Sequence, residues 1–99
     1  MGINERKLDK IRKLCSKHKV ARLFLFGSVL TKDFSDSSDI DFVVDFQGVE
    51  LYDYAKNYFN LKASLEELLN RKVDLLEDKA IKNPYLQRSI NASKQLIYG

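Results

Sequence analysis

The sequence is poor in the residues that mark secreted, membrane-spanning or multidomain chains. It holds a single cysteine, a single proline and no tryptophan. Cys15 alone cannot form an internal disulfide, which fits a reducing compartment. No apolar run approaches the ~20 residues of a transmembrane helix. The start, Met1-Gly2-Ile3-Asn4-Glu5-Arg6, lacks the apolar core of a signal peptide. The expectation is a cytoplasmic chain without membrane contact. Internal repeats, low-complexity tracts and linkers are also missing. At 99 residues the chain can form one core, but not a catalytic domain plus a separate substrate domain.

With 44% hydrophobic and 31% charged residues, the composition is that of an ordinary globular chain rather than a disordered one. The net charge of +3 hides an asymmetry. Residues 1–22 hold eight Lys/Arg against Glu5 and Asp9. That basic start reads as a solvated helix face, or as a footprint for an acidic partner or nucleic acid. Residues 23–55 hold Lys32 alone against seven acids, among them Asp33, Asp36, Asp39, Asp41 and Asp45.

The periodicity predicts a helix over 4–18, with Asn4 as N-cap and Leu8, Ile11, Leu14 and Cys15 on its apolar face. His18 near its end is expected at the surface, where a helix C-terminus favours positive charge. Val20 to Phe26 reads as a strand buried on both faces. Ser28 to Lys32 reads as a short helical turn, and Asp33 to Ser38 as a polar loop. Asp39 to Asp45 is a second strand, broken at Gln47-Gly48. A long helix follows over Val49 to Leu69, with Leu51, Tyr54, Tyr58, Leu61, Leu65 and Leu68 at helical spacing. Tyr52, Tyr54, Tyr58 and Phe59 are expected in or against the core rather than as a base-stacking platform. Asn70 ends the helix, Val73 to Leu76 forms a third strand, and Asn83-Pro84 opens a last helix. Its buried stripe is Leu86, Ile90 and Ile97. Helices and strands alternate throughout, so the fold class is a small α/β domain.

One stretch carries the chemistry. The apolar run Leu23-Phe24-Leu25-Phe26 stops at Gly27-Ser28, and Asp39-Ile40-Asp41 opens the next apolar run. In a strand Asp39 and Asp41 point to the same face. Two carboxylates there repel unless a cation sits between them, and magnesium suits an all-oxygen site that also meets phosphate. Gly27 lets backbone approach a ligand, and Ser28 offers a hydroxyl and an N–H to an anion. A phosphate cradle beside paired carboxylates is the core of a phosphoryl-transfer site. Asp74 is the one charge in its apolar strand. It faces solvent at a sheet edge, or it joins Asp39 and Asp41 on one face to hold two metals ~3.5–4 Å apart.

Gly27-Ser28, Asp39-Ile40-Asp41 and Asp74 in order, with Phe26, Ser38 and Val73-Asp74-Leu75-Leu76 around them, resemble the minimal nucleotidyltransferases. These form the stripped-down branch of the DNA polymerase beta superfamily. The likeness covers roughly residues 20–99, including a closing helix ending near Leu96-Ile97-Tyr98. Within a single domain over 1–99, residues 1–19 are then an N-terminal helix and 20–99 the catalytic core. The resemblance implies a mixed sheet with helices packed on one side. It implies transfer of a nucleoside monophosphate from ATP or another triphosphate to an acceptor hydroxyl. By the same resemblance Gly27, Ser28 and Lys32 hold the triphosphate, and Asp39 and Asp41 coordinate two magnesium ions. Asp74 ligates the ion nearer the acceptor and helps deprotonate the attacking oxygen. Many relatives carry a basic residue and a second glycine after Gly-Ser; here Val29-Leu30-Thr31-Lys32 follows, leaving only Lys32.

Larger relatives carry an acceptor-binding domain, which nothing in this sequence matches, so the acceptor is expected on a partner. Minimal nucleotidyltransferases are commonly paired with HEPN-domain toxins, and the resemblance implies an antitoxin that adenylylates a hydroxyl, a tyrosine's by preference, on such a toxin. The alternatives are transfer to a small molecule such as an antibiotic, or a non-catalytic antitoxin that neutralises by binding. Nucleic acid is not expected as a direct ligand, since Arg and Lys do not interleave with exposed aromatics.

Overall fold

A computed structural model of the chain describes residues 3–27 and 39–99. The expected turn at Ser28–Lys32 and the loop to Ser38 lie outside the described residues. Helix α1 spans Glu5–Lys17, and the Asn4 side chain caps it by accepting from the Lys7 N–H at 2.9 Å. Leu8, Ile11 and Cys15 form its buried stripe, so the helix that the sequence sets apart from the rest joins the common core. His18 corrects the surface expectation, being only 8% exposed. Its Nδ1 lies 2.8 Å from the Leu14 carbonyl, and its own carbonyl accepts from Asn57 Nδ2 at 2.7 Å. A carbonyl can only accept, so Nδ1 carries a proton and the ring serves as a cap.

Strand β1, Val20–Phe26, runs antiparallel to β2, Ile40–Phe46. An irregularity between Val20 and Arg22 shifts the register by one residue, so Val20, Leu23 and Leu25 all reach the core. Phe24 and Phe26 are half-buried, because the second face of β1 is not covered as fully as the apolar run suggests. Helix α2, Tyr54–Leu69, starts later than its periodicity predicts. Leu51–Asp53 forms a separate 3-10 turn with Leu51 91% exposed. Tyr54 and Tyr58 pack against the core as expected, but Tyr52 and Phe59 are exposed. Asn70 closes α2 in the left-handed conformation, φ 53°, which asparagine tolerates.

Strand β3, Val73–Glu77, pairs parallel with β2, as a strand–helix–strand connection requires. Helix α3, Pro84–Ser93, begins where Asn83-Pro84 predicts, with Asn83 Oδ1 accepting from Tyr85 and Leu86 N–H groups. It buries only Ile90, and Leu86 is 42% exposed. The closing helix expected to reach Tyr98 instead ends at Ser93, and Gln95–Tyr98 forms strand β4 beside β1. Leu96-Ile97-Tyr98 is apolar, aromatic and too short for its period to declare itself; β pairing with β1 decides.

The four-stranded mixed sheet has the order β3-β2-β1-β4. One face carries Leu23, Leu25, Phe42 and Val44 against α1 and α2, which supply Ile11, Leu61 and Leu65 among others. Each such large apolar side chain contributes about 1.5–3 kcal/mol on burial. Side chains from the helices also reach the two outer strands. Tyr58 Oη donates to the Leu75 carbonyl, Glu66 Oε2 accepts from the Val73 N–H at 3.1 Å, and Arg12 Nε donates to the Ile97 carbonyl at 3.1 Å. No helix among the described residues is long and apolar enough to cross a membrane.

Candidate active site

The face of the sheet turned away from α1 and α2 carries the acids. Strand alternation puts Ile40, Phe42 and Val44 in the core, so Asp41, Val43 and Asp45 must point the other way. Asp41 lies between Phe26 on β1 and Asp74 on β3 in the ladder. The parallel register that pairs Ile40 with Val73 and Phe42 with Leu75 therefore brings Asp41 and Asp74 side by side. Asp39 precedes β2 by one residue, is exposed, and shares the parity of Asp41. Asp74 is exposed as well, on the outer strand, while Asp41 is half-buried at the centre.

Gly27 ends β1 immediately beside this row. Its φ is +79°, and a Cβ at that position would stand 2.4 Å from Asp41 Oδ2. Only a residue without a side chain lets the backbone lie against the central carboxylate here. Ser28 and Lys32, the other expected phosphate-binding residues, lie outside the described residues.

The electrostatics single out Asp41. Burial pushes its carboxyl above the usual aspartate range, and the charges of Asp74 and then Asp39 push it the same way. A carboxylate held among like charges gains from any bound cation, proton or metal. The donor set is all oxygen, which suits a hard divalent ion such as magnesium. Among the described residues, no three acidic, His or Cys side chains converge tightly enough to hold an ion alone. The convergence of Asp39, Asp41 and Asp74 on one ion expected from the sequence is therefore not seen among the described residues, and a bound ion's shell would be completed by water and phosphate oxygens.

Asp45 is a fourth acid on the same face, and its parity with Asp39 and Asp41 is readable from the sequence. It differs in its surroundings, with Arg22 paired to it at 3.0 Å and Lys79 more loosely at 3.9 Å. What the sequence hid was those partners, one on the neighbouring strand and one in the 3-10 turn Asp78–Ala80.

Comparisons with known proteins identify the family and the fold. The family model of the polymerase beta nucleotidyltransferases matches residues 9–99. "Putative protein adenylyltransferase MJ0128" of Methanocaldococcus jannaschii is 44% identical over 93 residues, covering 94% of this chain and 88% of that protein. A solved structure described as a putative minimal nucleotidyltransferase superposes with a TM-score of 0.71 at 30% identity, covering 91% of this chain and 88% of its own. A chain from the tri-AMPylated Shewanella oneidensis HEPN toxin in complex with MNT antitoxin superposes with a TM-score of 0.68. At 22% identity, over all of this chain and 73% of that one, it shows the shared fold.

Proposed function

Since the chain belongs to the polymerase beta nucleotidyltransferase family, we propose that it is a magnesium-dependent protein adenylyltransferase of the minimal type. It moves AMP from ATP to a hydroxyl, a tyrosine's by preference, on a HEPN-type toxin, and acts as the antitoxin. The observation that carries the reading is the Asp41–Asp74 pair across the parallel ladder, with Gly27 pressed against Asp41. The names of the M. jannaschii relative and of the Shewanella complex support protein as acceptor and AMP as the transferred group.

The residues divide the work by position. Asp39 and Asp41 would hold both ions, and Asp74 the one nearer the acceptor. When bound, magnesium neutralises triphosphate charge and makes an acceptor hydroxyl easier to deprotonate. Gly27 and Ser28 would cradle the triphosphate through backbone and hydroxyl, with Lys32 as the added positive charge. Asp74, exposed on the outer strand, is reachable by a hydroxyl arriving from outside. Its carboxylate takes the hydroxyl proton as the acceptor oxygen bonds to the α-phosphorus. The bond from that phosphorus to the bridging oxygen breaks, and pyrophosphate leaves in line. AMP on a toxin residue adds bulk and negative charge, which would repel RNA phosphates much as phosphorylation does.

Intact mass spectrometry tests this directly, using the protein encoded next to this chain, ATP and magnesium. The expected result is a gain of one or more AMP units on that protein, absent with Asp39→Ala/Asp41→Ala. No gain with any triphosphate overturns the reading and moves transfer to a small molecule, or simple binding, to the front.

A further inference from the structure

The outer surface of the helix layer carries a groove that nucleotidyl transfer does not use. It runs between α1 and α2 with a volume of about 590 Å³. Leu14 and Leu68, half-buried against the core, give it an apolar floor. Lys10, Lys13 and Lys17 line the α1 side, and Glu67 stands on the α2 side. Spacings of three and four put the three lysines on one helix face. None of them forms an ion pair with a described residue, whereas Arg12 on the same helix is held by Asp9 and the Ile97 carbonyl.

The charge and lining of the groove narrow the occupant. A second copy docked symmetrically, groove to groove, would bring another basic α1, which repels. A nucleic-acid backbone would meet Glu67 and two leucines where it needs cations and polar donors. An added strand is disfavoured, since helix side chains already hold backbone groups of both outer strands. An amphipathic helix with acidic flanks satisfies all of it: leucine-like residues cover the floor and carboxylates meet the lysines.

We propose that the α1–α2 groove docks an acidic amphipathic helix of the protein that this chain modifies. The proposal rests on the reading of the chain as a protein adenylyltransferase and gives that protein its point of attachment. The groove and the carboxylates lie on opposite sides of the sheet, so docking leaves Asp39, Asp41 and Asp74 open. Attachment at one site raises the local concentration of the acceptor hydroxyl at the other.

The probe is a fluorescein-labelled peptide of leucine, glutamate and alanine, roughly four helical turns long, with leucines at i, i+3 and i+7. Fluorescence anisotropy against the full chain is expected to register saturable binding that Lys10→Glu/Lys13→Glu/Lys17→Glu weakens about tenfold or more. Leu68→Gln weakens it too, and Asp39→Ala/Asp41→Ala leaves it unchanged. All these positions are exposed or half-buried, and melting curves verify that each variant is folded. Equal binding by the lysine variant, no binding by the unmodified chain, or tighter binding of a duplex RNA of matching length each overturns the proposal. Binding is read without nucleotide, so its failure leaves the AMP-transfer result standing, and failed transfer with intact binding counts against the catalytic reading instead.

Discussion

Replacing Gly27 by alanine isolates the contact on which the site depends, and Gly48 provides its control. Both glycines have left-handed backbone, φ +79° and +69°. An alanine in that conformation costs roughly 1–2 kcal/mol, partly offset by about 0.4–1 kcal/mol from the stiffer unfolded chain. A Cβ on Gly48 meets nothing within 4 Å, so Gly48→Ala pays only this backbone difference. A Cβ on Gly27 stands 2.4 Å from Asp41 Oδ2. Ordinary contact begins about 1 Å further out. The half-buried Asp41 carboxylate can swing to make that room, so the added loss falls on chemistry more than on stability. A misplacement of about 1 Å in a reacting constellation costs on the order of 10²-fold. The expected pattern is two variants with similar small drops in Tm, of which only Gly27→Ala loses AMP transfer by about that factor in single-turnover assays. Full transfer by Gly27→Ala would refute the close approach of Gly27 to Asp41, and with it the site's geometry.

Further expectations concern charge, burial and capping. Asp41→Asn should abolish transfer yet raise Tm, because it removes a charge from among Asp39 and Asp74. In the unsubstituted chain the raised Asp41 carboxyl favours folding only while protonated, so that stabilisation fades as pH climbs from the ordinary aspartate range through the folded-state value; melts of both proteins from pH 3 to 8 test it. Burial pushes the Cys15 thiol up to about 12. The native state therefore keeps a proton that the unfolded chain releases near pH 8.5, and stability should fall by about 1.4 kcal/mol per pH unit above that. The difference in denaturant midpoint between the chain and Cys15→Ala, followed from pH 8 to 10.5, reads the thiol's contribution alone. Asn83→Ala removes the cap of α3 and costs about 1 kcal/mol. With only Ile90 buried, that loss should appear as faster amide exchange confined to α3, not as an equal fall in global stability.

How far the sequence was readable follows from where its signals are local. The Asp39/Asp41 parity, the Asn4 and Asn83 caps, the Asn70 stop and the β1 boundaries depend on neighbours a few residues away. The caps, the stop and the β1 boundaries appear in the structure where the pattern puts them, whereas Asp39 falls one residue before β2. The Asp74 alternative was open because solvent exposure and site membership predict the same lone acid in a strand. Only the parallel register beside β2 brings it against Asp41, and there it is exposed as well. β4 was illegible for the opposite reason: four residues carry too little periodicity, and their pairing partner β1 lies some seventy positions earlier. Tyr52, Phe59 and Leu86 misled because helical spacing marks a face without saying whether anything covers it. His18 misled because burial through a hydrogen-bonded cap leaves no trace in hydropathy.

The hydrogen bonds from Tyr58, Glu66 and Arg12 to the outer strands have a consequence for how this molecule fails. Bare strand edges template one another, and that is the usual first step of sheet aggregation. Here the cover comes from α1 and α2 and not from the strands, so it lasts only while those helices remain docked. Heating or denaturant that frees α1 and α2 from the sheet would uncover Val73, Leu75 and Ile97. Light scattering should then rise at a lower temperature than the loss of β signal, and a ligand that clamps α1 to α2 should protect the chain from aggregating without touching its sheet.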